Sequence, residues 1–102
     1  MILRDKDKQV LIQLFSSINK PIEVIAYGSR VNNTAHEGSD LDLVIRTNNH
    51  EPINLSIYSN LVEKIRQSNI PFLVDLKDWN TLPTSFHKQI EKNSTIIYSN
   101  IN

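Results

Sequence analysis

Three aspartates stand in short apolar runs that otherwise read as β-strands, and this limits the folds open to the chain. Asp40 and Asp42 alternate with Leu41, Leu43 and Ile45 in the run 40–46, and Asp75 lies between Val74 and Leu76 in the run 72–76. Successive strand side chains point to opposite faces, so residues 40 and 42 share a face, with Cα atoms about 7 Å apart, while the aliphatic residues fill the other. Aspartate is depleted in strands, so two in one strand ask for a reason. A sheet that unites both runs brings like charges together. A pair about 5 Å apart costs ~3 kcal/mol at an effective dielectric of 20. Such a cluster either keeps a proton or is neutralised by cations.

The remaining pattern supplies elements to carry these strands. Asp7 to Ile18 reads as a helix, with Leu11, Leu14, Phe15 and Ile18 at helical spacing, stopped by Asn19-Lys20-Pro21. The β-branched run Ile22 to Tyr27 is a strand that ends at Gly28-Ser29. A polar loop or short helix spans Arg30 to Ser39, and the strand Asp40 to Arg46 follows. A helix is expected from about Asn54 to Gln67, burying Tyr58, Leu61, Val62 and Ile65. Phe72 to Leu76 is the third strand. A final helix runs from Thr81 to about Lys92, with Pro83 in its first turn and Phe86 and Ile90 facing inward. Thr95 to Tyr98 reads as a last edge strand. The expected class is α/β (α+β), a small mixed sheet with helices packed on one face, forming a single domain over residues 1–102.

Charge and composition exclude several classes. Eleven basic residues balance eleven acidic ones, so no global positive field exists to hold a nucleic acid backbone, and no direct nucleic acid contact is expected. The absence of cysteine rules out disulfide scaffolds and thiolate zinc sites. With no apolar signal core and no run near the ~20 apolar residues of a membrane span, the expectation is a soluble, cytoplasmic protein. His36, His50 and His87 have no metal-ligand spacing and read as solvated.

The acids suit a particular chemistry. Magnesium accepts all-oxygen ligation and leaves room for water and phosphate oxygens. Two such ions can clamp the attacking and leaving oxygens of an in-line phosphoryl displacement. Asp40 and Asp42 are the candidate ligands of both ions. Asp75 is the candidate third ligand and can help deprotonate the attacking hydroxyl; Asp78 is the alternative third acid. Gly28 lets backbone approach a phosphate, and the Ser29 hydroxyl with nearby N–H groups can bind its oxygens. Arg30 is either a triphosphate counter-charge or a solvated loop residue. Ser39 reads first as a turn residue, with phosphate binding as the alternative. Trp79 and Phe86 either anchor the last helix or stack on a base. With only two glycines, the chain has neither a Walker loop nor a dinucleotide fingerprint. Gly-Ser, ten residues, then Asp-x-Asp arises by chance in on the order of one in a thousand chains of this size.

At Gly28-Ser29-Arg30, Ser39-Asp40-Leu41-Asp42-Leu43 and Phe72 to Trp79, the sequence resembles the minimal nucleotidyltransferases of the DNA polymerase β superfamily. The resemblance runs from Ile22 to Tyr98. It implies a polymerase β-like palm, ATP as donor, magnesium as cofactor, and Asp40, Asp42 and Asp75 as the metal-binding acids. It also implies pairing with a HEPN-domain protein, often a ribonuclease toxin that such an antitoxin neutralises by attaching AMP to a tyrosine. The expected activity is AMP transfer from ATP to an acceptor hydroxyl. The alternatives are a non-catalytic antitoxin acting by complex formation, or transfer to a small aminoglycoside-type acceptor. Asn33 departs from the glycine many relatives carry, and the chain ends soon after its last helix where larger relatives continue. Association with itself or a partner is compatible with its thin core.

Overall fold

The structure, a computed structural model, describes residues 3–31 and 38–101. Asn33 and His36, singled out above, lie outside the described residues. The elements are α1 (Asp5–Ser16), β1 (Ile22–Tyr27), β2 (Leu41–Thr47), α2 (Leu55–Gln67), β3 (Val74–Asp78), a short 3-10 turn (Trp79–Thr81), α3 (Thr84–Lys92) and β4 (Ser94–Ser99). The strands form one sheet in the order β3-β2-β1-β4. β1 is antiparallel to β2 and β4, whereas β2 and β3 are parallel, joined by the α2 crossover that a parallel pair requires.

Helix ends follow local chemistry. The Asn54 side chain accepts hydrogen bonds from the Ser56 and Ile57 N–H groups and starts α2, and Lys64 and Arg66 complement its C-terminal dipole. α1 begins earlier than its apolar stripe suggests, because Asp7 is buried in the first turn. Its carboxylate accepts hydrogen bonds from Arg4 Nε at 2.9 Å and Nη2 at 3.3 Å.

Strand alternation divides the core in two. Val24, Ala26, Leu41, Leu43 and Ile45 face α1 and α2 and pack with Leu11, Phe15, Leu61 and Ile65. Ile25 and Val44 point the other way and pack with Ile90 of α3, flanked by Tyr27, Trp79, Leu82 and Phe86. The mixed sheet is as expected, and α1 and α2 share one face; α3 covers part of the opposite one. Pro83 precedes α3 instead of lying in its first turn. His87 is not solvated: its ring stacks on Trp79 at 3.8 Å, and a ring nitrogen lies 2.6 Å from the Trp79 carbonyl oxygen. Among the described residues no helix is long and apolar enough to cross a membrane.

β3 runs from Val74 to Asp78, two residues later than the apolar run suggests. Parallel pairing extends it through Lys77 and Asp78, while Leu73 is left exposed. As the outer strand, β3 needs a partner for its unpaired carbonyls. Tyr58 of α2 provides one, its hydroxyl donating to the Leu76 carbonyl at 2.5 Å. Tyr58→Phe should therefore lower the free energy of unfolding in urea by about 1 kcal/mol with an unchanged m value. Unchanged stability would show that this bond does not hold β3.

Candidate active site

Sheet register brings two of the three sequence-selected acids side by side. Asp42 of β2 is the direct partner of Asp75 of β3, and Tyr27 of β1 is the partner of Asp42 on the other side. Tyr27, Asp42 and Asp75 thus form a row across three strands, on the face that α3 only partly covers. Asp40 precedes β2, is exposed, and lies close enough to raise the electrostatic potential energy of the Asp42 carboxylate. Among the described residues no three acids or histidines lie close enough together to hold a metal ion as they stand.

Sequence reasoning missed a cation in this row. Lys77 lies two residues after Asp75, on the same face, opposite Val44. Its Nζ donates to Asp75 Oδ2 at 2.5 Å. Burial alone would lower the lysine pKa, but the Asp75 hydrogen bond and the adjacent Tyr27 hydroxyl outweigh it and hold the ammonium above its ordinary value. The available signal was the two-residue spacing, which puts residues 75 and 77 on one side of a strand.

Asp42 is pushed above the usual carboxylate range. Burial is the main cause; Lys77 opposes it, and Asp75 and Asp40 add repulsion. Burial likewise raises the Tyr27 hydroxyl, countered by Lys77 and reinforced by Asp42 and Asp75. That hydroxyl is buried with no hydrogen-bond partner among the described residues. Its ring meets Phe86 edge to face at 6.1 Å. Beside the row, Tyr27, Gly28, Phe86, Gln89, Ile90 and Asn93 line a cavity of ≈ 280 Å³.

The turn after β1 is fitted to Asp42. Gly28 has φ +83°, a left-handed conformation that favours glycine, and a Cβ there would lie 2.5 Å from Asp42 Oδ2. Ser29 follows, half-buried, and Val31 N–H closes the turn on the Gly28 carbonyl at 3.1 Å. Arg30 does not solvate the loop. It is 3% exposed, its Nε donates to the Ser39 carbonyl at 2.9 Å, and its guanidinium lies 3.9 Å from the centroid of the Phe72 ring. It ties the chain just before Asp40 to the segment leading into β3, which the Leu41 N–H to Leu73 carbonyl bond also joins.

Asp78 sits at the far end of β3, opposite Ile45. Its carboxylate accepts from Ile53 N–H at 2.9 Å and Asn80 N–H at 3.0 Å, so both oxygens serve main-chain donors. Trp79 packs against His87 and Arg46, which anchors the start of α3.

The Asp42 shift has a measurable consequence. A carboxyl whose folded pKa is raised binds more protons folded than unfolded, so stability falls as pH rises from the ordinary value of 3.8 through the raised one. Asp42→Asn should therefore raise the Tm of the metal-free protein at pH 7–8, and the gain should shrink as pH falls toward 4. A pH-independent gain, or a loss, would show that Asp42 carries no such penalty.

Residues 9–101 match the family model described as "Polymerase beta, Nucleotidyltransferase". The "Probable protein adenylyltransferase MntA" of Haemophilus influenzae is 30% identical over 95 residues, which span 93% of this chain and 82% of that protein. Among solved structures, a chain of a toxin–antitoxin with AMP-PNP superposes with TM-score 0.73 at 20% identity, covering 90% of this chain and 73% of that one. A chain from the tri-AMPylated Shewanella oneidensis HEPN toxin in complex with MNT antitoxin gives 0.69 at 16% identity, covering 95% and 73%. These structural likenesses bear on the fold, and the family match extends over nearly the whole sequence. The chain belongs to the polymerase β nucleotidyltransferase family.

Proposed function

We propose that this chain is a magnesium-dependent protein adenylyltransferase that moves AMP from ATP onto a hydroxyl of a HEPN-domain partner, as the antitoxin of a toxin–antitoxin pair. The observation that carries the reading is the Asp42–Asp75 register beside the Gly28 turn, in a chain 30% identical to a protein named as an adenylyltransferase. The AMP-PNP and AMPylated-toxin structures of its fold relatives support the choice of donor and acceptor.

The donor set suits magnesium. It is all oxygen and charge-dense, and an ammonium already stands in against one of the acids. Asp40, Asp42 and Asp75 would hold the ions, which when bound supply neutralisation of the attacking and leaving oxygens. In the transfer, the acceptor oxygen bonds to the α-phosphorus, the bond from that phosphorus to the bridging oxygen breaks, and pyrophosphate leaves. Asp75 takes up the proton of the acceptor hydroxyl. The Gly28 backbone and the Ser29 hydroxyl hold phosphate oxygens. Arg30, through the Ser39 carbonyl and the Phe72 ring, is a positioning residue that fixes the approach to Asp40. The cavity beside Tyr27 and Gly28 is space for part of the nucleotide.

Two experiments test this. Incubated with Mg-ATP and a HEPN-domain partner, the protein should increase the partner's intact mass by whole AMP units. Asp40→Asn and Asp42→Asn should each cut the rate by on the order of a thousandfold while the circular dichroism spectrum stays native. Full transfer by both variants would exclude the carboxylates from catalysis. Separately, Gly28→Ala should disturb the Asp42 carboxylate by steric contact and lower the rate at least about tenfold, with the thermal transition also reduced. A wild-type rate in that variant would show that the turn does not set the position of Asp42.

A further inference from the structure

Lys77 is the charged group beside the acid row that the proposed reaction has not used. Its ammonium sits on Asp75 at 2.5 Å, beside a buried Tyr27 hydroxyl that has no hydrogen-bond partner among the described residues. Across β2 its register neighbour is Val44, so Asp42 and Asp75, one step back along the strands, are the acids within its reach. The lysine side chain is about one-third exposed, at 32%, which leaves its flexible stem free to turn.

Two other cations of this region are committed elsewhere. Arg30 is buried against Phe72 and the Ser39 carbonyl. Arg46 pairs with Glu23 and lies over Trp79, at the far end of the sheet. Among these three cations, Lys77 alone contacts the acid row directly. It occupies the electrostatic position a divalent ion would take, since it offsets the repulsion between Asp42 and Asp75.

We propose that Lys77 is a catalytic residue that works by handover. In the metal-free protein its ammonium holds Asp75. With a divalent cation bound, that carboxylate would be one of its ligands, and the displaced Lys77 ammonium would move onto the phosphate oxygens of the nucleotide. Here it offsets the negative charge that builds on the triphosphate as pyrophosphate departs. A compact ammonium on a four-carbon stem suits this transfer better than the rigid fork of an arginine. The Tyr27 hydroxyl gives the ammonium a neutral hydrogen-bond partner during the move. This inference rests on the transferase reading and adds to it the group that meets the triphosphate.

The handover requires effects of opposite sign in one variant. In Lys77→Met, Mn²⁺ binding to the nucleotide-free protein, followed by electron paramagnetic resonance, should tighten about tenfold, because a competing cation is gone. AMP-PNP binding at saturating Mg²⁺, measured by calorimetry, should weaken about tenfold, because a phosphate contact is lost. Circular dichroism of the variant checks that the fold is intact. Mn²⁺ affinity that is unchanged or weaker overturns the competition for Asp75. Unchanged AMP-PNP affinity overturns the transfer to phosphate. Where wild type binds both probes and the variant behaves alike, the handover falls and the transferase reading stands. A wild-type protein that binds neither probe removes both.

Discussion

The structure is organised around a repulsion. Parallel pairing of β2 with β3 sets Asp42 against Asp75, two carboxylates that would separate in water. The backbone ladder and the apolar side chains on the other face hold them in register, because slipping β2 by one residue would turn Leu41, Leu43 and Ile45 out of the core, and slipping β3 would turn out Leu76. Core burial thus supplies the energy that keeps the acids together. What remains uncompensated at the site appears as the raised Asp42 carboxyl and as the recruitment of Lys77 to Asp75.

The rest of the molecule restricts movement of this row. Tyr58 anchors the outer edge of β3 next to Asp75. Asp78 fastens the far end of the same strand to Ile53 and Asn80. Arg30 ties the residues before Asp40 to Phe72, just ahead of β3, so both acid-bearing strands begin from one clamped junction. Gly28 lets the β1 turn approach the Asp42 carboxylate with no side chain between them. A site prepared in this way holds like charges close together, and the Lys77 ammonium on Asp75 relieves part of that repulsion.

Most of this arrangement could be read from the residues. The strand β1 has the bounds that its β-branched run and the following Gly28-Ser29 mark. The alternation in β2 correctly assigns its leucines to one face and Asp42 to the other, because period-two patterning is strict where one face is buried. Long-range pairing was less accessible. Nothing local to Lys77 says that it turns toward an acid cluster, since that depends on which strand lies beside β3. Arg30 read equally as a triphosphate counter-charge or a solvated loop residue, because its partner Phe72 is 42 positions away and its burial follows from the fold alone. The placement of α3 on the second face depends on the path from β3 at one edge to β4 at the other, which periodicity does not encode.

The most direct measurement of the central claim is a crystal structure of the protein with Mn²⁺ and AMP-PNP, read by anomalous scattering. The expected result is a manganese peak at coordination distance from carboxylate oxygens of both Asp42 and Asp75, with the Lys77 ammonium withdrawn from Asp75. A peak away from that pair, or an Asp75 still bound to Lys77 with nucleotide seated elsewhere, would contradict it.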